Sequence, residues 1–280
     1  MKVLKNFVIQ GKHQKPIVTD VFYKETQQSQ KVIIFCHGYK GFKDWGAWNR
    51  MATTFANAGY FFIKFNFSHN GGTLEQPIDF PDLDAFGNNN YTKELDDLES
   101  VLDWVSNNPQ FKNTVDANQI SIIGHSRGGG IVTLKAAEDP RVKKVISLAA
   151  VCDFASRSST NSDVAAWKKT GVKYVLNGRT KQQMPHFYQF HEDFIQNKER
   201  LNIENAAKKI TIPHLIIHGD KDTSISVNEG EKLHTWNPKS TLKIIEKANH
   251  VFNVSHPWIE NKGLDAFEKT VKICIDFLRQ

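Results

Sequence analysis

The segment Gly124-His125-Ser126-Arg127-Gly128 sets a serine between glycines two residues away on either side. The apolar stretch 119–124 precedes it, and a helical pattern over 127–138 follows. A serine hydroxyl is a weak nucleophile and needs an adjacent base. It also needs donors aimed at the negative charge that develops on a carbonyl under attack. A very tight strand-to-helix turn helps with both. Bulky side chains two residues to either side of such a turn would collide with the chain, so glycine stands at both places. The turn lifts the hydroxyl beside a helix N-terminus, where negative charge is stabilised. Gly129 and Gly130 continue the small-residue run and let the helix pack closely on a sheet.

Three more chemistry-bearing clusters follow apolar runs. His37-Gly38-Tyr39-Lys40-Gly41 comes after the run 32–36, and its turn offers backbone N–H groups. Tyr39 and Arg127 are read as the two oxyanion donors through their backbones, with His37 as a neighbouring substrate contact. His218-Gly219-Asp220-Lys221-Asp222 follows the run 214–217, and Ala248-Asn249-His250 follows 241–246. A base that serves serine must be held in one tautomer by a carboxylate. Ser126 is therefore read as nucleophile, His250 as general base and Asp222 as orienting acid. Asp220 and Asp153 are rival acids, and His256, just before Pro257, is a rival base. His125 and His218 read as structural, and His186 and His191 as exposed polar residues. No His, Cys, Asp or Glu grouping has metal-site spacing, so neither a metal nor an organic cofactor is expected.

These residues need a scaffold that brings strand ends together. Residues 3–9 and 16–23 flank a polar turn and read as an antiparallel hairpin. Beyond them, short β-branched runs alternate with amphipathic stretches: strands near 32–36, 60–67, 119–124, 142–150, 214–218 and 241–246, and helices near 48–58, 91–106, 127–138, 227–235 and 264–278. This rhythm predicts an α/β fold with a mostly parallel sheet of about eight strands and helices on both faces. The stretch 68–90 is rich in Gly, Asn, Asp and Pro and reads as a long functional loop. Residues 153–209 separate two strands by too many positions for an ordinary crossover. They are read as a helical cap inserted in a core made of 1–152 and 210–280, the alternative being a small domain elsewhere on the surface. Trp167 and Phe187 within it are expected to line the substrate pocket.

The composition is that of an ordinary globular chain: 280 residues, 40% hydrophobic and 24% charged, net charge +6. The charge forms no long basic run, so no nucleic-acid partner is expected. It is uneven, however: residues 154–212 hold ten Lys or Arg against five Asp or Glu. Three cysteines, Cys36, Cys152 and Cys274, suit a reducing compartment better than a disulfide framework. With no membrane-length apolar run and no signal-like start, the expectation is a cytoplasmic protein with no membrane partner.

With these residues in place, the chain resembles the α/β-hydrolase superfamily, whose triads run in the chain order serine, acid, histidine. Within it, the chain looks most like dienelactone-hydrolase-like and cinnamoyl or feruloyl-esterase-like bacterial hydrolases. The shared features are the His-Gly-x-x-Gly loop at His37–Gly41, a cap after the sixth strand, and the stretch Phe65-Asn66-Phe67-Ser68-His69-Asn70-Gly71. The nucleophile departs from true dienelactone hydrolases, being serine where they have cysteine. The resemblance implies a serine esterase acting on a small-molecule ester through an acyl-enzyme. Rival readings are a thioesterase or a prolyl-oligopeptidase-like peptidase on the same triad, and a non-catalytic binding protein on this fold. Only about thirty residues precede the first central strand, which counts against the peptidase reading, since such proteins usually carry a large extra N-terminal domain.

Overall fold

The structure is a computed structural model that describes residues 1–157, 161–259 and 264–280. Eight strands form the main sheet: β1 (Lys2–Gln10), β2 (Pro16–Tyr23), β3 (Gln30–Cys36), β4 (Phe61–Phe65), β5 (Val115–His125), β6 (Val142–Leu148), β9 (His214–Gly219) and β10 (Thr241–Ile245). Two others, β7 (Val172–Leu176) and β8 (Gln183–Phe187), pair as a separate antiparallel ribbon. The order across the main sheet is β1-β2-β4-β3-β5-β6-β9-β10. The expected hairpin is present as β1 and β2, and β2 meets β4 antiparallel. From β4 to β10 every neighbour is parallel.

Side-chain alternation along β3 shows why the sheet needs helices on both faces. Val32, Ile34 and Cys36 join one apolar core, and Ile33 and Phe35 join the other. The first core is closed by α3 (Tyr91–Asn107), α4 (Arg127–Glu138), α7 (Ile203–Lys209) and α8 (Val227–Trp236). The second is closed by α1 (Trp48–Asn57) and α9 (Leu264–Arg279). In α3 the residues Leu95, Leu98, Val101, Leu102 and Val105 recur at helical spacing and are fully buried. Its start is fixed by the Asn90 side chain, which accepts from the Lys93 N–H at 2.8 Å. Its end precedes Pro109, which cannot continue it.

Two expectations change. The stretch 68–90 is not wholly irregular but contains α2 (Leu83–Gly87), whose first turn is capped by Asp82. The segment between β6 and β9 is not purely helical. It carries α5 (Asn161–Thr170) and α6 (Gln189–Gln196), with the β7–β8 ribbon between them. The ribbon is legible in hindsight, because Val172-Lys173-Tyr174-Val175 alternates in the strand period and Asn177-Gly178 turns the chain. Positions 158–160 of this segment lie outside the described residues.

Phe42, Phe80, Phe86 and Met184 form a third, smaller core that glues the loop after β3, the α2 region and the ribbon together. The Gln182 amide adds a hydrogen bond to the Phe80 carbonyl at 3.0 Å, and the Gln189 amide one to the Asn89 carbonyl at 3.0 Å. All three cysteines are buried and unpaired. Among the described residues no helix is long and apolar enough to cross a membrane.

Candidate active site

In an open parallel sheet the crevice lies beyond the carboxyl ends of the strands. Ser126 follows β5 and has φ 59° and ψ −118°, a conformation that L-residues rarely adopt. Sterics force the flanking glycines. A Cβ on Gly124 would lie 2.1 Å from the Gly128 carbonyl oxygen, and one on Gly128 would lie 2.5 Å from the Cys36 and His37 carbonyl oxygens. Sheet and helix hold the turn together: the Ser126 N–H donates to the Leu148 carbonyl at 2.9 Å, and its own carbonyl accepts from Gly129 at 3.0 Å.

Asp222 lies past the end of β9 and His250 past β10, and the structure brings them into contact. His250 Nδ1 is 2.8 Å from Asp222 Oδ2. The other carboxylate oxygen accepts the N–H groups of Ser224 at 2.8 Å and Ile225 at 2.9 Å. Burial opposes the Asp222 charge, but hydrogen bonds from His218, His250 and Ile225 outweigh it and hold the carboxyl well below its usual range. The rivals sit elsewhere. Asp153 caps its own turn by accepting from Ala155 and Ser156. The nearest ion partner of Asp220 is Lys221 at 3.9 Å. His256 Nδ1 accepts from the Gly46 N–H at 3.0 Å, and its ring stacks on Trp45.

Two histidines read as merely structural support this contact directly. His218 Nε2 lies 2.9 Å from the Ile225 carbonyl and 3.2 Å from Asp222 Oδ2, so its N–H backs the carboxylate from behind. His125 Nε2 lies 2.8 Å from the His250 carbonyl, and the two rings are 4.7 Å apart. Burial, then the neighbouring His250, lowers His125 to about 3, so this ring is neutral and donates to the carbonyl. Both histidines stand beside a motif glycine, and that adjacency was the only hint the sequence held.

The loop after β3 closes on Ser126 from the other side. A Cβ on Gly38 would lie 2.9 Å from Ser126 Cβ. His37 is buried and lowered by burial to about 4, hence neutral. Its Nδ1 donates to the Gly38 carbonyl at 2.9 Å, and its Nε2 accepts from the Phe67 N–H at 3.3 Å. Its ring thus ties this loop to the chain after β4.

Ser126 and His250 border two cavities. The larger, about 500 Å³, is walled by Tyr39, Tyr91, Phe154, Arg127 and Phe190 and by His186 and Val175 of the ribbon. The smaller, about 130 Å³, lies toward Trp45, Trp48 and His37. Trp167 and Phe187 are not lining residues, contrary to the sequence expectation. Trp167 is 2% exposed and donates its indole N–H to the His186 carbonyl at 2.7 Å, holding the ribbon in place. Phe187 packs over Gly87 of α2. His186, expected to be exposed, is buried: its Nε2 accepts from the Tyr39 hydroxyl at 2.7 Å, latching the ribbon to the loop beside Ser126.

Comparison with known proteins fits this geometry. An uncharacterized 31.7 kDa protein of Escherichia coli is 27% identical over 255 residues, covering 78% of this chain and 82% of that one. The monoacylglycerol lipase ABHD6 of Rattus norvegicus is 25% identical over 222 residues, which span 66% of this chain and 62% of the lipase. The ferulic acid complex of Est1E from Butyrivibrio proteoclasticus superposes with a TM-score of 0.72 at 16% identity, covering 98% of this chain and 100% of that one. Residues 31–190 match the family described as the alpha/beta hydrolase fold, and the chain belongs to that family.

Proposed function

We propose that this hydrolase is a serine esterase that cleaves a carboxylic ester through an acyl-enzyme. The observation that carries the reading is the convergence of a strained Ser126 with a His250 ring already fixed by Asp222 on the wall of one cavity. With Nδ1 facing the carboxylate, the ring carries its proton there and leaves Nε2 as acceptor. Ser126 Oγ attacks the ester carbon as its proton passes to His250 Nε2. The tetrahedral oxyanion takes the backbone N–H groups of Tyr39 and Arg127, at the N-terminus of α4. The C–O bond to the alcohol then breaks, and His250 returns the proton to the leaving oxygen. Water repeats the sequence on the acyl-serine and releases the acid. Esterase and lipase neighbours support ester over other acyl substrates.

The test is active-site labelling and turnover. A fluorophosphonate is expected to modify Ser126, and Ser126→Ala is expected to lose about a million-fold in turnover with its fold intact. A folded Ser126→Ala protein with near-parental turnover would remove Ser126 from this role.

A further inference from the structure

The larger cavity is strongly asymmetric in charge. Lys40, Arg127, Arg157 and Lys173 line it, and no carboxylate does among its described lining residues. Behind the wall, Glu94 pairs with Arg127 at 3.2 Å and Glu229 with Arg157 at 2.5 Å. Lys173 lies 3.8 Å over the Trp167 ring and feels the charge of Asp163.

Lys40 is different. Among the described residues it makes no ion pair, and its ammonium lies 5.1 Å over the Tyr39 ring. Burial, then repulsion from Arg127, holds it below its ordinary range. Its backbone has φ 52°, where glycine or asparagine would sit at lower cost. Thus a lysine occupies a strained position beside an arginine, over a cavity, with no counter-charge among the described residues. His186, hydrogen-bonded to the neighbouring Tyr39, reports the same field. Burial first, then Arg127, Lys173 and Lys40, lower it to about 3, so it adds no charge of its own.

The two compartments flanking Ser126 are also unequal. The smaller has about a quarter of the larger one's volume and mostly aromatic walls, with Lys40 bordering both. We infer that the substrate is an anionic ester. Its larger portion ends in an ionised acid group seated in the 500 Å³ cavity against Lys40 and Arg127, and its smaller, uncharged portion occupies the 130 Å³ compartment. Carboxylate and phosphate both supply the required charge. This inference rests on the esterase reading and narrows its substrate class.

The test pairs two methyl esters of equal acyl length, monomethyl glutarate and methyl pentanoate, followed by proton release. The anionic ester is expected to be favoured about tenfold in kcat/KM, the worth of one charge-assisted hydrogen bond. The preference should shrink as salt is added. Lys40→Asn removes the charge while keeping a residue suited to φ 52°, and it should bring the ratio of the two kcat/KM values toward one. A second readout needs no turnover: glutarate or inorganic phosphate should slow fluorophosphonate labelling of Ser126. Protection by glutarate alone assigns a carboxylate, and protection by phosphate alone assigns a phosphate. Equal kcat/KM for the two esters, or labelling that neither anion slows, overturns the anionic substrate while leaving the esterase intact. No turnover together with an unlabelled Ser126 overturns both.

Discussion

Replacing Asp222 by asparagine isolates the contact on which the proposed mechanism depends. In the parent, one carboxylate oxygen accepts Ser224 and Ile225 N–H groups at 2.8 and 2.9 Å, and the other faces His250 Nδ1 at 2.8 Å and His218 Nε2 at 3.2 Å. An asparagine must keep its oxygen toward the two backbone donors, because an amide nitrogen there would meet N–H with N–H. Its NH2 group therefore points at His250 and His218. His250 Nδ1 then becomes an acceptor, the ring proton moves to Nε2, and nothing remains to take the serine proton. An amide in this place costs serine proteases about ten-thousand-fold in turnover. That is about 5.4 kcal/mol of transition-state stabilisation at 1.36 kcal/mol per tenfold. A separate stability cost of about 1–3 kcal/mol follows if His218 turns its acceptor to the new NH2 and abandons the buried Ile225 carbonyl.

Asp220 supplies the control. Its side chain is 31% exposed, and its nearest cation is the exposed Lys221. Asp220→Asn should therefore stay within about threefold of the parent, because exposed pairs of this kind contribute less than about 1 kcal/mol. The assay is kcat/KM on an aryl ester for both variants, with thermal melts to separate misfolding from lost chemistry. Fluorophosphonate labelling should slow in parallel for Asp222→Asn, since labelling uses the same base. A folded Asp222→Asn protein that keeps a tenth of the parental activity, or an Asp220→Asn protein that loses more, would refute this reasoning.

Other outcomes follow from neighbouring contacts. Asp97 is raised to about 7, chiefly by burial against the opposing Ser68 hydrogen bonds, and its Oδ1 has no hydrogen-bond partner. A raised carboxyl contributes stability that is full below the unfolded value of about 3.9 and lost as pH rises toward 7. Asp97→Asn should therefore gain in melting temperature over the parent at pH 7.5 relative to pH 4, and an equal difference at both would refute the burial argument. Lys64, fully buried between Asp20 and Asp44 at 2.7 Å from each, should cost about 3–5 kcal/mol when changed to methionine, by urea titration. A loss below about 1 kcal/mol would mean that the carboxylates find other partners. Phe190→Ala should shift the preferred acyl chain to longer members, because Phe190 walls the larger cavity, whereas Phe187→Ala should leave the ranking unchanged. The opposite pattern across a series of acyl lengths would exchange their places.

What the sequence made legible follows the range of the interactions involved. The elbow around Ser126 is a local steric problem, and glycines at 124 and 128 announce it because a Cβ at either would strike backbone within the same turn or the adjacent loop. The strands were readable because central parallel strands are apolar on both faces. The pairing of His250 with Asp222 was readable from chain order and strand ends. The pocket walls were not. Trp167 and Phe187 look like pocket aromatics in a list of residues, but burial of Trp167 follows from its indole N–H finding the His186 carbonyl, a contact that exists only once the ribbon has formed. His186 is polar by type and buried by circumstance, since the Tyr39 hydroxyl 147 positions away satisfies it. The ribbon itself was missed because five-residue strands with charged and aromatic neighbours carry a weak period.

The loop that carries Tyr39 is set by residues that never reach the cavity. Just beyond it, Lys43 and Asp44 enter a buried cluster of ions with Asp20 from β2 and Lys64 from β4. Such a cluster gains little net stability over apolar residues of the same volume, because desolvation offsets most of the attraction. Its effect here is directional. Asp20 accepts Lys43 at 2.9 Å and Lys64 at 2.7 Å, and Lys64 reaches on to Asp44 at 2.7 Å, so the loop is fixed to two strands at once. The Asn66 side chain adds a bond to the Lys43 N–H at 2.6 Å, and the His37 ring adds another to Phe67. Apart from the Asp20–Lys64 pair, which joins β2 to β4, these ties run from the loop after β3 to β2, β4 or the residues just after β4. In the proposed mechanism the Tyr39 N–H must meet an oxyanion within a few tenths of an ångström, and it gains from that rigidity, since no energy is then spent aligning it during the reaction. The fold places Ser126 through steric necessity at a single turn, and it places the facing loop through charge pairing across two strands.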